Sequence, residues 1–172
     1  MIKFFSLYRS GNNLPYRPVD RILDIIGIIF TLLYIGVCIY FYYSSDAQVP
    51  VGFDSAGNPR EWGGRGAYLY SAGVGVIIWI SCFFAARNPK YINLPVMIRP
   101  DRAVVQNYWK CHYCRWLLLA CLLLFLSMLL EMRCAQAGME CGCYRFGFCI
   151  SLVLVLVILV VMCLHVQRAG RV

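Results

Sequence analysis

Four long runs of uncharged, mostly apolar residues alternate with charged segments along the chain. They cover residues 25–43, 66–86, 116–130 and 146–167, which are 19, 21, 15 and 22 residues long. A helix needs about 20 such residues to cross roughly 30 Å of hydrocarbon. Three runs are therefore long enough, and the third can start earlier because Lys110 and Arg115 are able to extend their charged ends toward the headgroups.

The runs predict an all-α fold, an integral membrane four-helix bundle with a structured outer loop between its first two helices. A β-barrel would need strands that alternate polar and apolar residues, and these runs do not alternate. The expected organisation is an N-terminal segment (1–21), a helix-loop-helix unit (22–86), a basic loop (87–115) and a second transmembrane hairpin with a short tail (116–172). Asp24, Glu131 and His165 fall near predicted helix ends and are expected at the interface.

Composition supports a membrane location. Hydrophobic residues make up 61% of the 172 residues and charged residues 14%, with a mean hydropathy of +0.67. A water-soluble domain has roughly 25% charged residues, so the apolar excess has to face lipid. The retained first run does not resemble a cleaved signal peptide, because no small-residue cleavage site follows it.

The net charge of +8 is explained by topology. Twelve of the 16 basic residues fall in the N-terminal segment, the 87–115 loop and the tail, against four in the two other loops. Basic residues concentrate on the cytoplasmic side, so both termini are expected in the cytoplasm. No nucleic-acid partner is needed to explain the charge, and the lipid bilayer is the expected partner.

The predicted outer loop contains signals for local structure. Pro50 to Phe53 is expected to be extended, and the following stretch from Asp54 to Pro59, with Gly57 in it, has the residues of a turn. Trp62 and Gly63 come just before the second helix. Trp62 and Phe53 are expected to pack over the turn and to lie at the membrane surface.

Residues 49–63 resemble the Pro-x-His-Phe, Gly and Trp-Gly signature of the bacterial family called domain of unknown function 1648. The residues that carry the resemblance are Pro50, Phe53, Asp54, Gly57, Trp62 and Gly63. A second motif that fits related membrane proteins follows in the basic loop, at Asn88, Pro89, Asn93 and Pro95. Gly52 stands where the family has a histidine, so a role of that histidine is not carried over.

The resemblance implies a relationship to the N-terminal part of SdpI-type proteins, which are multi-pass membrane proteins in immunity to a secreted toxin and in signalling. On that basis we expect a non-enzymatic protein of the bacterial inner membrane with an immunity or envelope-signalling role. Its partners would be a second copy of the chain or a cytoplasmic or envelope protein. The alternatives are a small transporter or channel-like oligomer, and a membrane-embedded enzyme.

Candidate chemistry in the sequence is weak. Cys111 and Cys114 have Cys-x-x-Cys spacing, but one such pair supplies too few ligands for a metal site, and no cofactor is predicted. Cys134, Cys141 and Cys143 lie in the second outer loop, where one disulfide is expected as an alternative to reduced thiols. Ala67, Ser71 and Gly75 recur every four residues and predict a close helix contact. No nucleophile, base and orienting group occur together, and no paired carboxylates are expected within one span.

Overall fold

The computed structural model describes residues 14–54, 58–139 and 142–171, without the side chains of residues 142–144. Its helices are α1 (Pro18–Ser44), α2 (Ala67–Ala85), α3 (Ala103–Gln136) and α4 (Gly142–Ala169). Two strands, β1 (Gln48–Phe53) and β2 (Pro59–Gly64), lie between α1 and α2. Each of the four helices includes a stretch long and apolar enough to cross a membrane, as the uncharged runs predict.

Helix α1 begins well before the uncharged run that predicts it. Pro18 occupies the first turn, where its missing N–H leaves no helical hydrogen bond unmade. The Asp20 carboxylate accepts a hydrogen bond from the backbone N–H of Arg17 at 3.0 Å. Both features favour a helix start, and an acid in the first turn also complements the helix dipole. Two acidic residues, Asp20 and Asp24, are therefore part of this helix.

The helices pack as neighbours that alternate in direction. α1, α2 and α3 pack against one another, while α4 packs against α3. The start of α1, the end of α2, the start of α3 and the end of α4 meet at one end, which we call the basic end. The two strands lie at the other end, which we call the hairpin end.

A core of aromatic and aliphatic side chains joins the first three helices, and its centre is Tyr34 with Leu118, Leu122 and Leu129. Elsewhere the helices expose apolar side chains. In α2, 11% of the most apolar stretch is buried, and in α4 also 11%. The mean hydropathy of these stretches is 1.8 in α2 and 3.2 in α4. Such surfaces are stable only where the surroundings are also apolar.

Helix α3 has 34 residues, more than twice the length of the 15-residue uncharged run inside it. Lys110 and Arg115 lie inside the helix, so the helix continues past the run at that end. Before α3 the chain forms two short 3-10 turns, Pro89–Tyr91 and Pro100–Arg102, as expected for a stretch interrupted by prolines.

The loop between α1 and α2 contains a small antiparallel sheet, so the prediction of an all-α fold is incomplete. Gln48 pairs with Gly64, Val49 with Gly63 and Pro50 with Trp62, and the register shifts beyond Pro50. The extended stretch predicted at Pro50 to Phe53 is strand β1. The return strand β2 was not expected, because it contains Pro59 and two glycines, and both residue types are depleted in strands.

Candidate functional site

The hairpin made of β1 and β2 is the first candidate site. Val49 and Pro50 are fully buried, while Val51 and Trp62 point outward, with 53% of Trp62 exposed. Packing of Trp62 over the turn, against the membrane surface, stays a prediction. A Cβ on Gly63 would lie 2.9 Å from a methyl group of Val51, so a larger residue at position 63 would force that side chain to move.

The turn of the hairpin is closed by Asp54 and Asn58. The backbone N–H of Asn58 donates to the Asp54 carboxylate at 2.8 Å, and the Asp54 N–H donates to the Asn58 carbonyl at 3.0 Å. Such Asx hydrogen bonds stabilise turns. Phe53, next to them, is half-buried. Gly57, predicted as part of this turn, lies outside the described residues.

The base of the hairpin is fixed to the bundle by polar side chains of α3. The Arg133 guanidinium donates to the Ser45 hydroxyl at 3.3 Å and to the Ser44 carbonyl at 3.2 Å. Gln136 donates to the carbonyl of Gln48 at 3.2 Å. The end of α3 thus holds both the end of α1 and the first residue of β1.

A cluster of buried charges at the basic end is the second candidate site. We call Asp20, Asp24, Arg87, His112 and Arg115 the buried ion cluster. The side chains of Asp20 and Asp24 are 1% and 7% exposed. Because they are four residues apart on α1, both lie on the face that packs against α3.

Two arginines neutralise these carboxylates. Arg115 of α3 donates from Nε to Asp24 at 2.8 Å, and its Nη1 lies 3.7 Å from Asp20. Arg87, just after α2, donates to the other oxygen of Asp24 at 3.2 Å, and its guanidinium lies 3.5 Å from the centre of the Phe83 ring. Three helices are therefore joined through one carboxylate.

His112 completes the cluster. Its Nδ1 lies 2.7 Å from the Asp20 carboxylate, and the ring stacks on Tyr108 with centroids 5.8 Å apart. Arg17 lies over the same Tyr108 ring, 4.7 Å from its centre. The segment before α1 is thus held against α3.

Tyr16 covers the cluster from the N-terminal side by donating to Asp24 at 2.9 Å. Partial burial and the Asp24 carboxylate raise the pKa of Tyr16 to about 12, so the phenol is protonated at neutral pH. Two carboxylates and two guanidiniums balance in charge. Buried charges that are paired and hydrogen-bonded in this way fix the relative positions of the elements that carry them.

Sequence reasoning missed this cluster. It placed Asp24 at the interface and expected no paired carboxylates within one span, because helix α1 was predicted to start after Asp20. The spacing of Asp20 and Asp24 was a usable signal, since it places both on one helix face. Glu131, also expected at the interface, pairs with Arg145 at 3.5 Å at the hairpin end. His165 contacts the Tyr113 hydroxyl at the basic end.

The cysteines predicted as weak metal ligands face backbone carbonyls of α2. Cys111 donates to the Ala85 carbonyl at 3.8 Å and Cys114 to the Cys82 carbonyl at 3.6 Å. Among the described residues, no three His, Cys, Asp or Glu side chains lie close enough together to hold a metal ion. Of the proposed disulfide residues, Cys134 is buried, Cys141 lies outside the described residues, and the Cys143 side chain is not described.

The small residues of α2 lie at a close contact with α1. Ser71 hydrogen-bonds the Tyr34 hydroxyl at 2.6 Å, and a Cβ on Gly75 would lie 2.5 Å from the Tyr34 ring. Ala67 packs at the edge of the same core. The stripe therefore serves packing within the chain, the use that such spacing allows in membranes.

The second motif of the resemblance is split between buried and exposed positions. Pro89 is fully buried, and the Asn88 side chain donates to the Phe84 carbonyl at 3.3 Å at the end of α2. Asn93 and Pro95 are exposed. The motif thus forms the exit from α2 and a following surface segment.

No protein-family model, curated protein or solved structure matches this chain. The resemblance to the family of unknown function is therefore carried by its motif residues alone.

Proposed function

We propose that this chain is a non-enzymatic, multi-pass protein of the bacterial inner membrane that recognises an envelope partner through its hairpin, in immunity or envelope signalling. The observation that carries the proposal is the contrast within the hairpin. Its base is tied to α3 by Arg133 and Gln136, while Trp62 and Val51 are held outward. A fixed, exposed aromatic side chain is a common anchor in protein recognition.

The distribution of charge supports the orientation in this proposal. One end of each of the four helices lies at the basic end, and most of the described basic residues lie at or next to these helix ends. The hairpin lies at the opposite end of the bundle. With basic residues in the cytoplasm, the hairpin faces the envelope. An envelope toxin or signalling partner would then meet the hairpin first.

The resemblance of residues 49–63 supports the choice of immunity or signalling over the other classes. The ion cluster supports a non-enzymatic role, since its charges are paired with one another and join helices. A transporter would be favoured by ionisable groups that line a path through the bundle. The cluster instead lies at one end of the described helices and is closed by its own pairs.

The proposal is tested by complementation. Deletion of the gene should sensitise cells to a toxin encoded beside it, and wild-type protein should restore resistance. Trp62→Ala should fail to restore resistance while accumulating normally in the membrane. Tyr70→Ala is the matched control, because Tyr70 is also an exposed aromatic residue near the hairpin end, 80% exposed, and the variant should restore resistance.

Three results would count against the proposal. Unchanged sensitivity of the deletion strain to neighbouring toxins would exclude immunity. Loss of Trp62→Ala from the membrane would assign the side chain to packing. Failure of Tyr70→Ala to the same degree would assign both residues to general anchoring at the membrane surface.

A further inference from the structure

The segment between the 3-10 turn after α2 and the first turn of α3 exposes large apolar side chains. Met97 is 85% and Tyr91 is 75% exposed, and Val104 and Val105 are exposed beside them. Pro95 and Pro100 keep most of this segment out of α-helix, so it is not part of a conventional span. We call residues 91–105 the surface segment.

A buried glutamine fixes the surface segment to two helices. Gln106 is fully buried and accepts from the Arg99 N–H at 2.9 Å. Its amide nitrogen donates to the Met97 carbonyl at 3.2 Å and to the Val166 carbonyl of α4 at 3.0 Å. All of these bonds are buried or partly buried, so the segment has a defined position against the end of α4.

The contact between Gln106 and Val166 indicates how deep the surface segment lies relative to the lipid. Val166 is next to the end of the uncharged run 146–167, which is 22 residues or about 33 Å of helix. That length matches the hydrocarbon thickness of roughly 30 Å. The surface segment therefore lies where α4 leaves the hydrocarbon, at the level of the headgroups.

Exposed arginines from two parts of the chain belong to, or lie close in sequence to, the residues that contact Gln106. Arg99 belongs to the surface segment, and Arg168 and Arg171 follow Val166, with Gly170 packed against the Gln106 amide. We call Arg99, Arg168 and Arg171 the arginine patch. Asp101 is the one acid of the surface segment, and it lies 3.9 Å from Arg102.

We infer that the surface segment and the arginine patch form a binding surface for anionic phospholipid. Met97 and the neighbouring apolar side chains enter the upper acyl region, and the arginines bind the phosphates. The apolar exposure explains why lipid is the ligand, and the positive charge explains why anionic headgroups are preferred. The inference does not depend on what the hairpin recognises.

Native mass spectrometry of the full chain in detergent tests the inference with phosphatidylglycerol and phosphatidylcholine as probes. Wild type should retain phosphatidylglycerol preferentially. Arg99→Gln, Arg168→Gln and Arg171→Gln should each lower that preference about fivefold, the equivalent of about 1 kcal/mol per basic residue. Arg60→Gln, which removes an exposed arginine from the hairpin, is the matched control and should retain the preference.

Equal retention of the two lipids by wild type would overturn the inference, and so would an unchanged preference in the combined Arg99, Arg168 and Arg171 variant. Glycerol phosphate should not compete with the lipid, because it lacks acyl chains. Competition at comparable concentration would show a soluble phosphate site instead. Met97→Asp gives a second measurement, since a charge at the acyl level should weaken retention of phosphatidylglycerol while leaving the arginines in place.

Discussion

The indole N–H of Trp116 donates a hydrogen bond to Nε2 of His112 at 3.3 Å. Because an indole nitrogen is only a donor, His112 Nε2 has to be unprotonated. The proton of the neutral ring is then on Nδ1, where it is donated to Asp20 at 2.7 Å. Trp116 thereby sets the tautomer of a residue in the buried ion cluster.

The bond from Trp116 should depend on the acceptor that His112 provides. His112→Ala removes that acceptor, so the indole N–H of Trp116 loses its partner. We expect the emission of Trp116 to change in His112→Ala, measured in a background whose other tryptophans are phenylalanine. An emission spectrum identical to that of the parent would contradict the hydrogen bond.

The pair of Asp24 and Arg115 should make a large contribution to stability. Asp24→Asn removes the carboxylate that Arg87 and Arg115 share, which costs about 3–5 kcal/mol in the free energy of unfolding. Arg115→Gln should cost less, because Arg87 still pairs with Asp24. The double variant should cost less than the sum, by about 0.5–3 kcal/mol. Reversible unfolding in micelles measures all four proteins, and additive effects would show that the two side chains are not coupled.

Glycine at position 75 should be required by the Tyr34 ring. Gly75→Ala places a Cβ where the ring now lies and should cost about 1–3 kcal/mol. Gly73→Ala is the control on the same helix, because a Cβ there meets nothing within 4 Å. Tyr34→Leu should reduce the penalty of Gly75→Ala, and an undiminished penalty would mean that the ring is not its cause.

Arg133 should control the mobility of the hairpin base. Arg133→Gln removes the bonds to Ser44 and Ser45, so backbone amides of β1 should exchange hydrogen faster, measured by mass spectrometry. The amides of α2 should be unaffected. Protection of β1 equal to that of wild type would show that Gln136 alone is sufficient to hold the strand.

The fold was predictable where the sequence is locally uniform. The four apolar runs gave four helices because lipid-facing helices need little besides length and apolarity. Positions outside the runs were harder. Helix α3 begins before Arg115, outside the uncharged run. The helix can bury Arg115 because its guanidinium pairs with Asp24, 91 residues earlier in the sequence. The sequence shows that a charge is present, but its partner appears only when the helices are packed.

The two candidate sites also differ in how far they depend on local sequence. The predicted turn chemistry of the hairpin is local, and Asp54 and Asn58 do close the turn. The position of Trp62 depends on the pairing with Pro50 and on how the hairpin sits on α3, and neither is visible in the local sequence. The ion cluster combines residues of α1, of α3 and of the chain just after α2, so only the spacing of Asp20 and Asp24 was visible in the sequence.

The long separation of the cluster residues has a consequence for biogenesis. Asp24 precedes Arg87 by 63 residues and Arg115 by 91 residues, so α1 is synthesised before either arginine exists. Nascent α1 therefore carries two acids whose arginine partners have not yet been made. The buried ion cluster is complete only when the start of α3 is made, which gives assembly of this protein a direction that follows translation.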